Sequence, residues 1–183
     1  MNLVKFALIG CGRISERHFE AISNIPDAEI IACCDIIENR AIEASKKYKV
    51  AKYYTDYKKM LDTEEVDAVL ITSPSGLHPE MGIEAAKRKI HVITEKPMAI
   101  NLSQADELIK ACDHNQVHLF VVKQNRLNPS VQLLKKAIDK GRFGRIFSAN
   151  ATVRWARPQS YYDLAKWRGT WEFDGGAFMN QAS

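Results

Sequence analysis

Residues 5–15 read KFALIGCGRIS, an apolar run that ends in a Gly-x-Gly turn, and a helical pattern follows from Ser15 to Asn24. A strand, a tight turn and a helix in this order are the context in which such glycines indicate a dinucleotide-binding turn. Gly10 permits the sharp turn, Gly12 lets a diphosphate approach the backbone, and the helix N-terminus offers N–H groups to the phosphates. Ser15 replaces the third glycine of the usual pattern, and its small side chain still lets the helix and the strand pack closely.

An acidic residue follows the second apolar run, which covers residues 29–34 and ends at Asp35. Asp35 lies about 20 residues past the glycines, where the dinucleotide pattern expects an acid. A carboxylate there can accept hydrogen bonds from both ribose hydroxyls of an adenosine and would repel a 2′-phosphate. Ile36 and Ile37 supply no arginine for such a phosphate, so we predict NAD rather than NADP. An ordinary strand-to-helix turn is the alternative interpretation of the glycines alone.

Apolar strands alternate with helical patterns as far as residue 122, which predicts a parallel sheet covered on both faces. The predicted fold class is therefore α/β, a doubly wound parallel Rossmann sheet, with residues 1–122 as the NAD-binding domain. Ligands of such sheets bind at the carboxyl ends of the strands. The predicted strands cover residues 3–9, 29–34, 52–54, 66–71, 90–94 and 117–122, and the predicted helices cover 15–24, 38–48, 57–61 after a cap at Asp56, 79–89 and 101–115.

The pattern changes from residue 123 onward. A helix is predicted over 128–140, and the alternation of polar and apolar residues over 145–156 predicts a strand with one polar face. The tail 158–183 shows no complete element. We predict that 123–183 is the truncated start of an α+β open-sheet domain.

Composition narrows the possible functions. The chain has 183 residues, of which 46% are hydrophobic, so it can bury a sizeable core. The net charge of +4 is scattered and does not favour a nucleic-acid partner. No apolar run approaches the roughly 20 residues of a membrane span, and no signal peptide is visible. The cysteines lack metal-ligand spacing, so we predict no metal and a reducing, cytoplasmic setting; they are Cys11, Cys33, Cys34 and Cys112.

A lysine stands at the end of the fifth predicted strand, in the tripeptide Glu95-Lys96-Pro97. A residue before proline is held extended, which directs the Lys96 side chain into the strand-end crevice. A lysine there can exchange protons or fix a substrate oxygen. A plain surface lysine is the alternative.

A second cluster of polar residues follows the fourth predicted strand. The segment 72–74, Thr-Ser-Pro, together with His78, could contact the ribose next to the nicotinamide. His78 could equally be an ordinary helix-start residue before Pro79. Three arginines further along, Arg154, Arg157 and Arg168, are candidates for a sugar carboxylate or a diphosphate, because a guanidinium pairs bidentately with either.

These motifs, in this order and spacing, resemble the Gfo/Idh/MocA family, the relatives of glucose–fructose oxidoreductase and inositol dehydrogenase. Motifs from residue 123 onward resemble one branch of that family, the UDP-N-acetyl-glucosaminuronate 3-dehydrogenases of bacterial surface-polysaccharide pathways. Those motifs are Lys123-Gln124-Asn125-Arg126-x-Asn128-Pro129, Arg154-Trp155, Tyr161-Tyr162-Asp163, Trp167-Arg168-Gly169-Thr170-Trp171, Asp174-Gly175-Gly176 and Asn180-Gln181.

The resemblance implies an NAD-dependent oxidoreductase that oxidises C3 of a UDP-linked N-acetylated hexuronic acid and passes the hydride to nicotinamide C4. The family's catalytic lysine falls on Lys96. Cofactor contacts are implied for Gly10, Gly12, Arg13, Ile14, Asp35, Thr72, Ser73, Pro74, His78, Glu95, Lys96 and Gln124. Substrate contacts are implied for Lys96, Asn125, Arg154, Arg157, Tyr162, Trp167, Arg168, Asn180 and Gln181.

The resemblance also bears on the extent of the chain. The family carries an Asp-x-x-x-His pair whose Asp position falls on Asn180 and whose His position falls one residue beyond Ser183. It therefore implies the N-terminal part of a longer enzyme, inactive alone, that forms a dimer or tetramer through its second domain.

Three alternatives remain open. The first is another sugar or polyol dehydrogenase of the same family. The second is an NAD-binding module without turnover. The third is an interaction protein with a relic Rossmann domain, which the presence of Gly10, Gly12 and Asp35 disfavours.

Overall fold

A six-stranded parallel sheet forms the centre of the fold, in the order β3-β2-β1-β4-β5-β6. This computed structural model describes residues 3–181. The order is that of a doubly wound Rossmann sheet, which confirms the predicted fold class. The strands are β1 (Val4–Ile9), β2 (Ala28–Cys34), β3 (Lys52–Tyr54), β4 (Ala68–Ile71), β5 (His91–Thr94) and β6 (Leu119–Val121).

Every helix predicted before residue 122 is present. The predicted cap Asp56 accepts hydrogen bonds from the backbone N–H groups of Lys58 and Lys59 at 2.8 and 3.3 Å. No helix within residues 3–181 has the length and apolar composition needed to cross a membrane. The helices are α1 (Ser15–Ser23), α2 (Glu38–Tyr48), α3 (Tyr57–Thr63), α4 (His78–Lys87), α5 (Leu102–Asn115), α6 (Pro129–Asp139), α7 (Gln159–Asp163) and α8 (Ala177–Gln181).

The core lies on both faces of the sheet because side chains alternate along each strand. Leu8 of β1 packs in one cluster with Phe19 of α1. The next residue of β1, Ile9, packs in the other cluster with Leu108 of α5 and with Val69 of β4. The two-sided burial explains the near-continuous apolar runs of the strands. The parallel pairing of the strands brings all six carboxyl ends to one edge.

The chain divides into two compact units. One contains the residues up to Val122 together with those from Trp167 onward, and the other is Lys123–Lys166. The second unit contains α6 and α7. The predicted domain boundary between 122 and 123 stays a prediction, and the tail from Trp167 packs with the sheet.

The strand predicted over 145–156 is wrong, because the described chain has no regular structure there. Phe147, Val153 and Trp155 are 85%, 79% and 69% exposed. A strand is stable only where a neighbour pairs its backbone groups and covers its apolar face, and the alternating pattern supplies neither. The tail was predicted to lack complete elements, which is also wrong, since α7 and α8 form within it. Residues 182 and 183 of that predicted tail lie outside the described range.

The segment from Trp167 onward, called the tail from here on, is held against the loop that follows β4. The Gly76 N–H donates to the Phe173 carbonyl at 2.9 Å. A Cβ atom at Gly76 would overlap the carbonyl oxygen of Glu172 and lie 3.0 Å from the Phe173 Cα. On the other side, a Cβ at Gly175 would lie 3.0 Å from the Ile100 Cβ. These close approaches bring α8 to the carboxyl edge of the sheet.

Gly76→Ala is expected to loosen this contact, because the obstructing atoms are backbone and cannot move aside. We expect a loss of about 1–3 kcal/mol in the free energy of unfolding, as for overpacked sites. Amides of 167–181 should exchange with solvent faster, while those of β1 and β4 keep their protection. Hydrogen exchange read by mass spectrometry measures both. Gly12→Ala is the matched control, since a Cβ there meets nothing within 4 Å; equal exchange of the tail in the two variants would contradict the expected docking.

Candidate functional site

The turn between β1 and α1 has one crowded glycine and one open glycine. Gly10 has φ +100°, and a Cβ there would lie 2.7 Å from the Ser73 nitrogen. Around Gly12 a Cβ would meet nothing within 4 Å. The Ser15 hydroxyl donates to the Gly12 carbonyl at 2.5 Å, and Ser15 is 2% exposed. The turn is thus closed toward β4 and open on the side of Gly12.

Asp35 is fixed at the end of β2 by backbone donors. Its Oδ2 accepts from the Cys11 N–H at 2.9 Å, and its Oδ1 accepts from the Ile37 N–H at 2.8 Å. Asp35 is 8% exposed, whereas Ile36 is 89% exposed. The carboxylate therefore links the end of β2 to the glycine turn, and each oxygen retains a further lone pair for an additional donor.

The residues of this edge fit a dinucleotide. No side chain caps the N-terminus of α1, whose N-cap residue is Ile14. Backbone N–H groups at an uncapped helix N-terminus suit a diphosphate, and the open face of Gly12 leaves room for it. Arg13 and Ile14 are exposed at the same place. The oriented Asp35 carboxylate can accept hydrogen bonds from a ribose, so the backbone donors and this acceptor together suit NAD.

The polar side chains after β4 make contacts within the protein. The Thr72 hydroxyl donates to the carbonyl of Gly10 at 2.6 Å, and the Ser73 hydroxyl contacts the Met81 sulfur at 3.2 Å. His78 is 1% exposed. Its Nδ1 lies 2.8 Å from the Pro97 carbonyl and its Nε2 lies 2.8 Å from the Ser73 carbonyl.

The buried His78 ring therefore joins the loops after β4 and β5. Burial lowers the pKa of His78, against the opposing effect of the two carbonyl contacts and of Glu95. The predicted contact of these residues with a nicotinamide ribose stays a prediction, with Pro74 completing the same loop.

Glu95 and Lys96 follow β5 at the neighbouring position of the edge. The Lys96–Pro97 peptide bond is cis. Glu95 is 8% exposed, and its Oε1 lies 2.9 Å from Nε2 of His18 in α1. Its Oε2 accepts from the Lys96 N–H at 3.2 Å. Glu95 thus connects α1 to the segment that carries Lys96.

The Lys96 ammonium reaches the tail. Its Nζ donates to the backbone carbonyl of Asn180 and lies 3.3 Å from the Asn180 Oδ1. The Asn180 Nδ2 in turn donates to Oδ1 of Asp174, whose Oδ2 accepts from the Gly169 N–H at 2.7 Å. Asn180 and Asp174 are 8% and 4% exposed. Two residues predicted to share a site, Lys96 and Asn180, are therefore in contact.

The remaining predicted substrate residues of the tail are Trp167, Arg168 and Gln181. The first two directly precede Gly169, whose N–H donates to Asp174. The Arg168 guanidinium lies 5.8 Å from the Trp167 ring, and the Trp167 carbonyl accepts from the Thr170 hydroxyl at 2.7 Å. Gln181 ends α8, next to Asn180. Their substrate contacts stay predictions.

Five predicted site residues belong to the unit Lys123–Lys166. Gln124 and Asn125 lie exposed in a 3₁₀ turn, and Arg154 is exposed in the irregular segment. The Arg157 guanidinium stacks 3.7 Å above the Trp155 ring and 4.8 Å from Tyr161, and the latter ring packs edge-on against Tyr162. These residues group an arginine with aromatic rings, and their binding roles stay predictions.

Two residues near Lys96 had no role in the sequence prediction. His18 lies one helical turn after Ser15, so its helical spacing could have placed it on the edge that carries the glycine turn. Asp174 belongs to the motif Asp174-Gly175-Gly176 of the family branch, but no local signal identifies its contact with Asn180. Within residues 3–181, no three His, Cys, Asp or Glu side chains form a group that could hold a metal.

Two family models match the sequence. The model described as an oxidoreductase family with an NAD-binding Rossmann fold matches residues 4–123, and its model name is GFO/IDH/MocA. The model described as the GFO/IDH/MocA C-terminal domain matches residues 131–183.

Solved structures and curated relatives show two levels of similarity. The WlbA dehydrogenase from Bordetella pertussis, in complex with NADH and UDP-GlcNAcA, is 47% identical with a TM-score of 0.96, and the alignment covers 99% of this chain and 55% of that one. The WlbA dehydrogenase from Chromobacterium violaceum, with the same ligands, is 49% identical with a TM-score of 0.96, covering 100% and 53%. The myo-inositol 2-dehydrogenase of Thermotoga maritima is 34% identical over 82% of this chain and 45% of its own length. The chain thus spans about half the length of the proteins it matches.

Proposed function

Because this chain belongs to the Gfo/Idh/MocA oxidoreductase family, we propose that it forms the cofactor-binding part of an NAD-dependent sugar dehydrogenase. The membership confirms the predicted family and its NAD-binding Rossmann domain. The substrate class we propose is a UDP-linked N-acetylated hexuronic acid, oxidised at C3. Such a reaction serves the biosynthesis of surface polysaccharides.

One observation carries the choice of substrate. Structures that contain NADH and UDP-GlcNAcA are 47% and 49% identical over 99% and 100% of this chain. The curated inositol dehydrogenase is 34% identical over 82%. The greater similarity extends through the tail from Trp167 onward, which contains Asn180 beside Lys96. This supports a nucleotide-sugar acid over a free polyol.

The proposed chemistry assigns one step to the cofactor, since bound NAD supplies the hydride acceptor. Side chains at the carboxyl edge of the sheet bind the substrate and stabilise the charge that develops on it. When a secondary alcohol loses a hydride to NAD, its hydroxyl proton passes to a base other than the Lys96 ammonium, and negative charge develops on the oxygen as that proton leaves. The Lys96 ammonium is the cation placed to stabilise that charge, while Asn180 holds its Nζ in position.

The polyol dehydrogenases supply the second candidate function. The curated myo-inositol 2-dehydrogenase from Thermotoga maritima matches 151 residues of the chain. A polyol carries neither a diphosphate nor a carboxylate. On this alternative, the arginines after residue 153 would have no anionic substrate to bind.

Calorimetric titration tests the proposal and its rival. The chain is titrated with NAD and NADP, and then, in the presence of NAD, with UDP-GlcNAcA and with myo-inositol. We expect binding of NAD at least tenfold tighter than that of NADP, and heat from the UDP-sugar acid but not from the polyol. Formation of NADH from each substrate, followed by absorbance in the full-length enzyme that the resemblance implies, is the second readout. Binding of the polyol alone would favour the second candidate, and binding of neither dinucleotide would contradict the cofactor site.

Asp35→Asn is expected to raise the Kd for NAD at least tenfold, or about 1.4 kcal/mol. The amide cannot accept from both backbone N–H groups that the carboxylate now holds, and it loses its charge toward the ribose hydroxyls. Repulsion of a 2′-phosphate is lost as well, so the ratio of NAD to NADP affinity should fall. Asp67→Asn is the matched control, because Asp67 also accepts a backbone N–H, that of Lys5 at 2.8 Å, at the opposite edge of the sheet. Equal affinity for NAD in the two variants would contradict the role of Asp35.

A further inference from the structure

A buried carboxylate stands behind the amide that contacts Lys96. Asp174 is 4% exposed, and the tail folds so that its two oxygens face different donors. Oδ2 accepts from the Gly169 N–H at 2.7 Å, and Oδ1 accepts from Nδ2 of Asn180. A carboxylate in such a place requires hydrogen-bond donors, because its burial without them is costly.

The chemistry of the two neighbours of Asn180 permits only one orientation of its amide. A carboxylate accepts hydrogen bonds and cannot donate them, so Nδ2 must face Asp174. An ammonium donates and cannot accept, so Oδ1 must face Lys96, where it lies 3.3 Å from Nζ. The Asn180 amide therefore bridges the two charged groups in one orientation, with its oxygen toward Lys96 and its NH₂ group toward Asp174.

We propose that Asp174 is a positioning residue that fixes the orientation of the Asn180 amide and so provides Lys96 with a side-chain hydrogen-bond acceptor. This inference rests on the proposed role of Lys96 in the reaction. Asp174 contacts neither substrate nor cofactor in this scheme, and it acts only through Asn180. Its negative charge adds to the effect by favouring a cation nearby.

Asp174→Asn should reverse the orientation of the Asn180 amide while preserving the shape of the side chain at position 174. The new amide keeps its oxygen on the Gly169 N–H and turns its NH₂ group toward Asn180. The Asn180 amide must then rotate to accept from it, which turns Nδ2 toward the Lys96 ammonium. Two donors would face each other, and the charged form of Lys96 would be less stable. We therefore expect the Lys96 pKa to fall by about one pH unit.

The swapped double variant D174N/N180D should restore the acceptor. The new amide at position 174 donates to the new carboxylate at position 180, which accepts from Lys96 as well. The number of charges and hydrogen bonds is the same as in the native chain. N180D alone is measured beside it, because a carboxylate at position 180 also raises the Lys96 pKa by direct contact.

Other titratable groups around Lys96 must be followed in the same experiment. Glu95 accepts from the Lys96 backbone at 3.2 Å, His18 of α1 pairs with Glu95, and buried His78 joins the adjoining loops. None of these is altered in the Asp174 variants. His18→Gln, measured alongside, shows whether the contact between His18 and Glu95 influences the result at Lys96.

The test is competitive acetylation of lysines across a pH series, read by mass spectrometry at the Lys96 peptide. Asp139→Asn is the control, because it removes an exposed carboxylate of α6 that pairs with Lys135 on the same helix. The expected result is a lower Lys96 pKa in D174N, recovery in D174N/N180D and no change in D139N. An unchanged Lys96 pKa in D174N, or no recovery in the swap, overturns the proposal.

A second variant covers the case in which D174N does not fold. Asp174→Ser removes the charge without offering an amide, and an unchanged Lys96 pKa in this variant also overturns the proposal. Lysine acetylation needs no turnover, so its outcome is independent of the dehydrogenase assay. Failure of the native chain to bind NAD or the UDP-sugar acid would contradict the proposed function and leave the acetylation result to decide the role of Asp174.

Discussion

Lys96→Met lowers kcat by about 10³-fold or more, on the proposed mechanism, because it removes the cation that stabilises the developing alkoxide. The apolar side chain has a similar length and leaves Asn180 without its donor. The loss should appear in kcat rather than in the Kd for NAD, since the glycine turn and Asp35 lie on other strands. NADH formation from the UDP-sugar acid, assayed in the full-length enzyme that the family resemblance implies, and calorimetric titration with NAD measure the two quantities.

The matched control is Lys110→Met, which replaces an exposed lysine of α5. We expect its kcat and its NAD affinity to equal those of the native protein. A K96M variant that retains kcat would remove Lys96 from the chemistry. One that loses NAD binding instead would make Lys96 a cofactor ligand without a chemical role.

Gly10→Ala should lower the stability of the fold, whereas Gly12→Ala should weaken the binding of NAD, although both add a methyl group and lie two residues apart. At Gly10 the Cβ would lie 2.7 Å from the Ser73 nitrogen, and φ is +100°. We expect the free energy of unfolding to fall by at least about 2 kcal/mol, and Tm by about 4–8 °C for a chain of this size. Thermal unfolding by circular dichroism measures both.

At Gly12 the added Cβ meets nothing within 4 Å, so stability should change by less than about 0.5 kcal/mol. The methyl group instead occupies the open side of the turn, where the diphosphate would approach. We expect the Kd for NAD to rise at least tenfold, about 1.4 kcal/mol. A G12A variant that binds NAD as tightly as the native chain would contradict the placement of the phosphates.

The sheet could be predicted because its signals are local. The apolar run before Gly10, the spacing to Asp35 and the cap at Asp56 each depend on a few neighbouring residues. Burial on both faces then accounts for the remaining strands. The strand over 145–156 failed for the opposite reason: its alternating pattern depends on a partner sheet, and no neighbour pairs with it in the described chain.

The environment of Lys96 was predictable only in part. The tripeptide around Lys96 marked a strand-end position, and the family resemblance grouped it with Asn180. The contact of Asp174 arises from the return of the tail, and that of His18 from the position of α1 beside Glu95 at the end of β5; no local pattern encodes either. His78 illustrates the same limit, since its polar ring is buried between the Ser73 and Pro97 carbonyls.

The contact between Lys96 and Asn180 joins residues 84 positions apart. During synthesis, all six strands and the glycine turn leave the ribosome before the tail does. Domains fold as units from the N-terminus as the chain emerges. The nascent protein can therefore form the glycine turn and the Asp35 contacts before Asn180 reaches Lys96. On the proposed function, the cofactor site would assemble before the environment of the reacting lysine is complete.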